Sequence, residues 1–137
     1  MSIAICPGSF DPITLGHLNI IRRTAQIFDR VVVCVMVNAS KSSPMFTVEE
    51  KLDMVRRAVA KYPNVEVDFS DGLLAEYARR YQGAVVVKGL RAASDFEYEF
   101  QMNLINKKIN PEMETMFLTS SEKYTFLSSS VVREMAS

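Results

Sequence analysis

Near the start of the chain, a short apolar run gives way to Pro7-Gly8-Ser9-Phe10-Asp11-Pro12-Ile13-Thr14-Leu15-Gly16-His17, and a segment of helical period follows at once. Gly8 and Gly16 carry no side chain to hold a ligand away from the backbone. A helix beginning here presents unpaired N–H groups and the positive end of its dipole, a setting that favours phosphate. His17, the single histidine of the chain, falls in that first helical turn. A lone histidine and a Gly/Pro-rich turn are each ordinary structural features. Their coincidence at the end of a first strand points instead to an anionic ligand. No Ser/His/Asp or Cys/His constellation for covalent catalysis accompanies them, nor a carboxylate cage for a metal.

Such residues need a scaffold, and the apolar pattern supplies it. Ile3 to Cys6, Val31 to Val37, Ala84 to Val87 and Met116 to Leu118 are short continuous runs, as strands buried on both faces should be. Val65-Glu66-Val67-Asp68-Phe69 alternates and predicts a strand near an edge. Between the runs lie helical stripes. Leu18, Ile21, Ala25 and Phe28 form the first, and Val48, Leu52, Val55, Val59 and Tyr62 the second, behind a Thr47-x-x-Glu50 capping box. Leu74, Tyr77, Ala78 and Tyr81 follow Asp71 as N-cap, and Ser94-x-x-Glu97 predicts the start of a helix running to Ile109. Strands alternating with helices predict an α/β fold, a single-domain Rossmann-like doubly wound parallel sheet over residues 1–137. Ligands bind such sheets at the carboxyl ends of the strands, where the strand order reverses.

Composition narrows the partners. The 137 residues include 16 Lys+Arg and 16 Asp+Glu, with no net formal charge, 48 % hydrophobic and 23 % charged residues. That balance predicts no nucleic-acid and no membrane partner. The longest uncharged apolar stretch, Val31 to Ser40, has about half the roughly 20 residues of a bilayer span. Without a basic N-terminal region, no secretory leader is expected. Cys6 and Cys34 lie in strand-like runs without C-x-x-C spacing and read as two buried thiols of a reducing, cytoplasmic protein.

The segment G-S-F-D-P-x-T-x-G-H, Gly8 to His17, resembles the phosphate-binding signature of the nucleotidyltransferase superfamily. The resemblance spans essentially the whole chain and is strongest to the bacterial phosphopantetheine adenylyltransferases. Further matching stretches are Ser40-Lys41, Phe46 to Glu50, Lys88 to Arg91 (placed after the fourth strand), Asp95 to Glu99, and Ser128-Ser129-Ser130. Thr14 stands where related cytidylyltransferases carry a first histidine. The resemblance implies a nucleotidyltransferase-type fold and transfer of an adenylyl group from ATP to 4′-phosphopantetheine. The products are dephospho-coenzyme A and pyrophosphate, the penultimate step of coenzyme A synthesis.

It also implies roles. His17 is the transition-state stabiliser and an ATP ligand, and Ser9 and Phe10 contact the nucleotide, with Ser9 also near the acceptor. Gly89, Leu90 and Arg91 hold the ATP phosphates, Glu99 contacts the nucleotide, and the stretch Tyr124, Thr125, Phe126, Leu127, Ser128, Ser129, Ser130 receives adenine and phosphate. Lys41, Leu74 and Lys88 bind the acceptor. Mg²⁺ is the implied cofactor, carried mainly by the phosphates; a homohexamer and feedback binding of coenzyme A are implied too. The chain departs from the pattern at Lys88, where relatives place arginine, and at Ser137, short of the helical end that relatives possess, which implies a truncated C-terminus. Two other readings stay open: a nucleotidyltransferase with a different phosphorylated acceptor, and a non-catalytic nucleotide-binding module.

Overall fold

The computed structural model describes residues 1–37, 45–90 and 93–119. Five strands, β1 (Ile3–Gly8), β2 (Arg30–Met36), β3 (Val65–Ser70), β4 (Val85–Leu90) and β5 (Glu114–Thr119), form one sheet in the order β3-β2-β1-β4-β5. Every pairing is parallel, β1 matching β2 from Ile3↔Arg30 to Gly8↔Val35. The order runs outward to β3 on one side of β1 and outward from β4 to β5 on the other. The reversal therefore falls between β1 and β4, which is where a parallel sheet opens a crevice.

Among the described residues four helices cover the two faces: α1 (Leu15–Ile27), α2 (Val48–Val59), α3 (Leu74–Tyr77, continued by a 3₁₀ turn over Ala78–Arg80) and α4 (Ala93–Ile109). Side chains alternate between faces along each strand. Ala4, Cys6, Val31, Val33, Val35 and Val87 pack against Ile20 and Ile21 of α1 and Leu52, Val55 and Val59 of α2. Ile5, Val32, Cys34 and Val86 pack the other way, with Ala75, Tyr77, Ala78 and Met113. The continuous apolar runs of β1, β2 and β4 are thus strands buried on both faces. The Thr47–Glu50 capping box caps α2 as its spacing predicts, with Glu50 N–H donating to Thr47 Oγ1 at 3.1 Å and Thr47 N–H to Glu50 Oε1 at 3.0 Å.

Three local expectations fail. Met116-Phe117-Leu118 is not buried on both faces: β5 is an edge strand and Met116 is 39 % exposed. A three-residue apolar run is too short to reveal the alternation that an edge strand carries. Asp71 does not cap α3, whose N-cap is Leu73 without a side-chain bond; Ser70 Oγ instead accepts from Gly72 N–H and holds the turn. Ser94 does not precede α4 but lies inside it, since the helix begins at Ala93. Val65–Ser70 is the opposite edge strand, as its alternation predicts.

Both cysteines are free and buried. Burial pushes the Cys6 thiol up to about 12 and the Cys34 thiol up to about 11. Since the thiolate is the reactive form, neither should react with a thiol reagent in the folded protein at about pH 8, and both should react in denaturant. Fast labelling of the folded chain would contradict this packing.

Candidate active site

The site begins where β1 stops. Thr14 is the N-cap of α1, and its Oγ1 accepts from His17 N–H at 3.3 Å. The Thr14 N–H in turn donates to His17 Nδ1 at 3.0 Å. This is a capping box in which imidazole replaces the usual Glu or Gln. An N–H can donate only to an unprotonated ring nitrogen, so the hydrogen of the neutral imidazole sits on Nε2. The backbone of Thr14 therefore fixes both the rotamer and the tautomer of His17 and makes Nε2–H the ring's donor. His17 falls in the first turn of α1, as the sequence predicts, whereas the capping role of Thr14 was missed, although the Thr14-x-x-His17 spacing carries it.

The loop between them is stiff. Phe10 is 3 % exposed at φ 46°, a left-handed conformation that is strained for a bulky residue. Its buried ring meets the His17 ring edge-on, with centroids 5.0 Å apart. A Cβ on Gly8 would sit 3.0 Å from that ring. The close approach expected of Gly8 is thus made by Phe10, which walls the imidazole from behind. Asp11 ties the loop to the segment just ahead of α2, its carboxylate accepting from Met45 N–H at 2.8 Å and Phe46 N–H at 2.9 Å. Residue type alone did not reveal that role. Bonds to a charged acceptor are worth about 1.5–3 kcal/mol, less at a partly exposed site. Asp11→Ala should therefore cost about 1–3 kcal/mol and lower the melting temperature by several degrees, with Asp11→Asn between. An unchanged melting curve would remove Asp11 from the scaffold.

Across the crevice, Lys88, Gly89 and Leu90 are the last residues of β4, not a loop after it. Alternation sends them to opposite faces. Gly89 faces α1: a Cβ there would lie 2.8 Å from Ile20 Cγ1, so only glycine lets helix and strand meet this closely. Lys88 shares the face of Val86, and its Nζ donates to Glu99 Oε2 of α4 at 2.7 Å, the two side chains being 20 % and 22 % exposed. Leu74, partly buried, packs against the cluster on that same face.

The sheet thereby sorts the residues expected for the two substrates. Phe10, His17 and Gly89, expected at the nucleotide, lie on the α1 face, whereas Leu74 and Lys88, expected at the acceptor, lie on the α3 and α4 face. Ser9 is exposed immediately after β1, between the two. Glu99, expected at the nucleotide, is bonded to Lys88 on the α3 and α4 face. Met36 ends β2 on the side of Leu74, an apolar neighbour that the Val32, Cys34, Met36 alternation could have supplied. Lys41, Arg91 and Tyr124 to Ser130 lie outside the described residues. Among the described residues no group of three or more His, Cys, Asp or Glu could hold a metal ion, and no helix is long and apolar enough to cross a membrane.

Comparison with known proteins agrees with this architecture. The cytidylyltransferase-like family model matches residues 5–135. The phosphopantetheine adenylyltransferase of Caldanaerobacter subterraneus subsp. tengcongensis is 52 % identical over 136 residues, 99 % of this chain and 84 % of the relative. That of Dictyoglomus turgidum is 54 % identical over 133 residues, 97 % of this chain and 82 % of the relative. Among solved structures, a lipopolysaccharide core biosynthesis protein from Thermoplasma volcanium superposes with a TM-score of 0.64 at 19 % identity, covering 89 % of this chain and 99 % of that one. A bifunctional NMN adenylyltransferase/ADP ribose pyrophosphatase from Francisella tularensis gives 0.62 at 14 % identity, covering 88 % and 38 %. At such identities the structures bear on the fold alone.

Proposed function

The chain belongs to the cytidylyltransferase-like family and, within it, to the phosphopantetheine adenylyltransferases, and from that premise we propose that it transfers an adenylyl group from ATP to 4′-phosphopantetheine, releasing pyrophosphate. The observation that carries the reading is the Thr14–His17 bracket, which presents one defined donor, Nε2–H, at the helix N-terminus beside the strand switch point. The acceptor phosphate is already an anion at neutral pH, so its oxygen attacks the α-phosphorus without a protein base. The new P–O bond forms in line with the departing pyrophosphate, and the work left to the protein is positioning and charge compensation.

In this scheme the nucleotide lies along the α1 face, its phosphates over the helix N-terminus, and His17 donates to the α-phosphate oxygens as charge builds on them. The acceptor approaches from the face of Leu74 and Lys88. Gly89, Leu90 and Arg91, with Tyr124 to Ser130, complete the ATP site, and Lys41 joins Lys88 on the acceptor phosphate. Among the described residues no three-ligand metal cage is found, which suits a magnesium ion held mainly by substrate phosphates. Magnesium enters with the triphosphate as part of the nucleotide substrate.

A homohexamer is proposed with the family, supported by the apolar side chains that α4 leaves outward: Phe96 at 46 %, Phe100 at 48 %, Leu104 at 50 % and Ile105 at 51 % exposure. Feedback binding of coenzyme A and a cytoplasmic location are proposed on the same ground. The reading is tested by pyrophosphate release from ATP across a panel of phosphorylated acceptors. 4′-Phosphopantetheine should be preferred over nicotinamide mononucleotide and phosphocholine. Equal turnover of all three would favour another acceptor, and ATP binding with no turnover would favour a binding module.

A further inference from the structure

The Lys88–Glu99 pair is placed unlike any other ion pair in the described residues. Its two side chains are 20 % and 22 % exposed, whereas every other pair has a partner at least 45 % exposed. It joins the carboxyl end of β4, at the switch point, to the second turn of α4. A lysine is a point charge on a flexible stem, and its ammonium goes where its partners hold it; the planar fork of arginine would bring its own orientation. In a sheltered site a 2.7 Å charge-assisted bond is strong enough to do that holding. An ammonium has three donors, so Nζ can keep Glu99 on one and offer the others to a phosphate. Glu99 also lies on the sheet face of Lys88 and Leu74, across the sheet from Phe10 and His17.

We propose that Glu99 is a positioning residue of the acceptor side, acting through Lys88: its carboxylate anchors the ammonium so that the remaining donors meet the acceptor phosphate. The proposal rests on the adenylyltransferase reading. It makes the carboxylate an accessory of lysine at this position, and it makes the effect of Glu99 conditional on Lys88.

The test is a double-mutant cycle on the full chain with ATP and 4′-phosphopantetheine, using Glu99→Gln, Lys88→Gln and the double variant, each shown by its melting transition to be fully folded at the assay temperature. Glu99→Gln should lower kcat/KM for the acceptor about tenfold, a coupling common for directly paired charges, while the KM for ATP stays within about twofold. In the Lys88→Gln background the same change should cause no further loss and should recover part of the activity, because it removes an uncompensated negative charge beside the phosphate. A loss of equal size in both backgrounds, or a loss falling on the KM for ATP, would overturn the assignment. Absence of turnover in the unmodified protein would instead overturn the functional reading, and the two failures are therefore distinct.

Discussion

His17→Ala is expected to leave the fold and most ATP affinity in place while slowing adenylyl transfer about 10²–10³-fold, the effect of removing one preorganised donor from a developing oxyanion. The structure gives this number a physical basis. Thr14 N–H occupies Nδ1, so the tautomer that carries the Nε2 proton is selected before substrate arrives. Phe10 packs edge-on against the ring, so the orientation of the imidazole is also restricted. His17→Asn can supply a donor but neither the reach nor the cap, and should recover little of the rate. Single-turnover kinetics separate the outcomes. An unchanged rate in a folded variant would mean that the imidazole is only a helix cap, whereas a raised KM for ATP at constant kcat would mean ground-state binding without transition-state selectivity.

Lys88→Ala should lower kcat/KM for 4′-phosphopantetheine about 10–100-fold, since a charge-assisted phosphate contact is worth about 1.5–3 kcal/mol. It also leaves the half-buried Glu99 carboxylate without its partner, which adds a stability cost and places an uncompensated negative charge beside an incoming phosphate. The KM for ATP should change little, because Lys88 and Gly89 point to opposite faces of β4. Lys88→Arg should be tolerated, since guanidinium can meet Glu99 and a phosphate together. Unchanged acceptor kinetics in Lys88→Ala, or Lys88→Arg as damaging as alanine, would make Lys88 a structural member of a β4–α4 clasp.

What the sequence made legible follows the range of the forces involved. Four continuous apolar runs, one alternating segment and four helical stripes identify the five strands and four helices of the described residues, because hydrophobic periodicity is local and repeated; parallel pairing follows from the order of strands and helices. The site's position at the end of the first strand follows from that topology. Contacts made by single polar side chains were less legible. Asp11 holds two N–H groups more than thirty residues away, and nothing in its neighbourhood in the chain announces them. Glu99 meets Lys88 only because α4 folds back over β4. Short signals misled for the same reason. Asp71 looks like an N-cap, but the chain runs two residues further before the N-cap Leu73, and Ser70 Oγ takes the bond from Gly72 N–H that holds the turn. Thr14 was legible in principle, and was masked by its more conspicuous neighbour in the motif.

If this sheet brings a nucleotide on one face and a phosphorylated thiol-bearing acceptor on the other to a common edge, the purified protein should join them. Incubated with ATP, magnesium and 4′-phosphopantetheine and followed by mass spectrometry, it should form dephospho-coenzyme A and pyrophosphate in equal amounts, with neither appearing when either substrate is omitted. ATP consumed without an adenylylated acceptor, or no product at all from a folded protein that binds ATP, would contradict that arrangement.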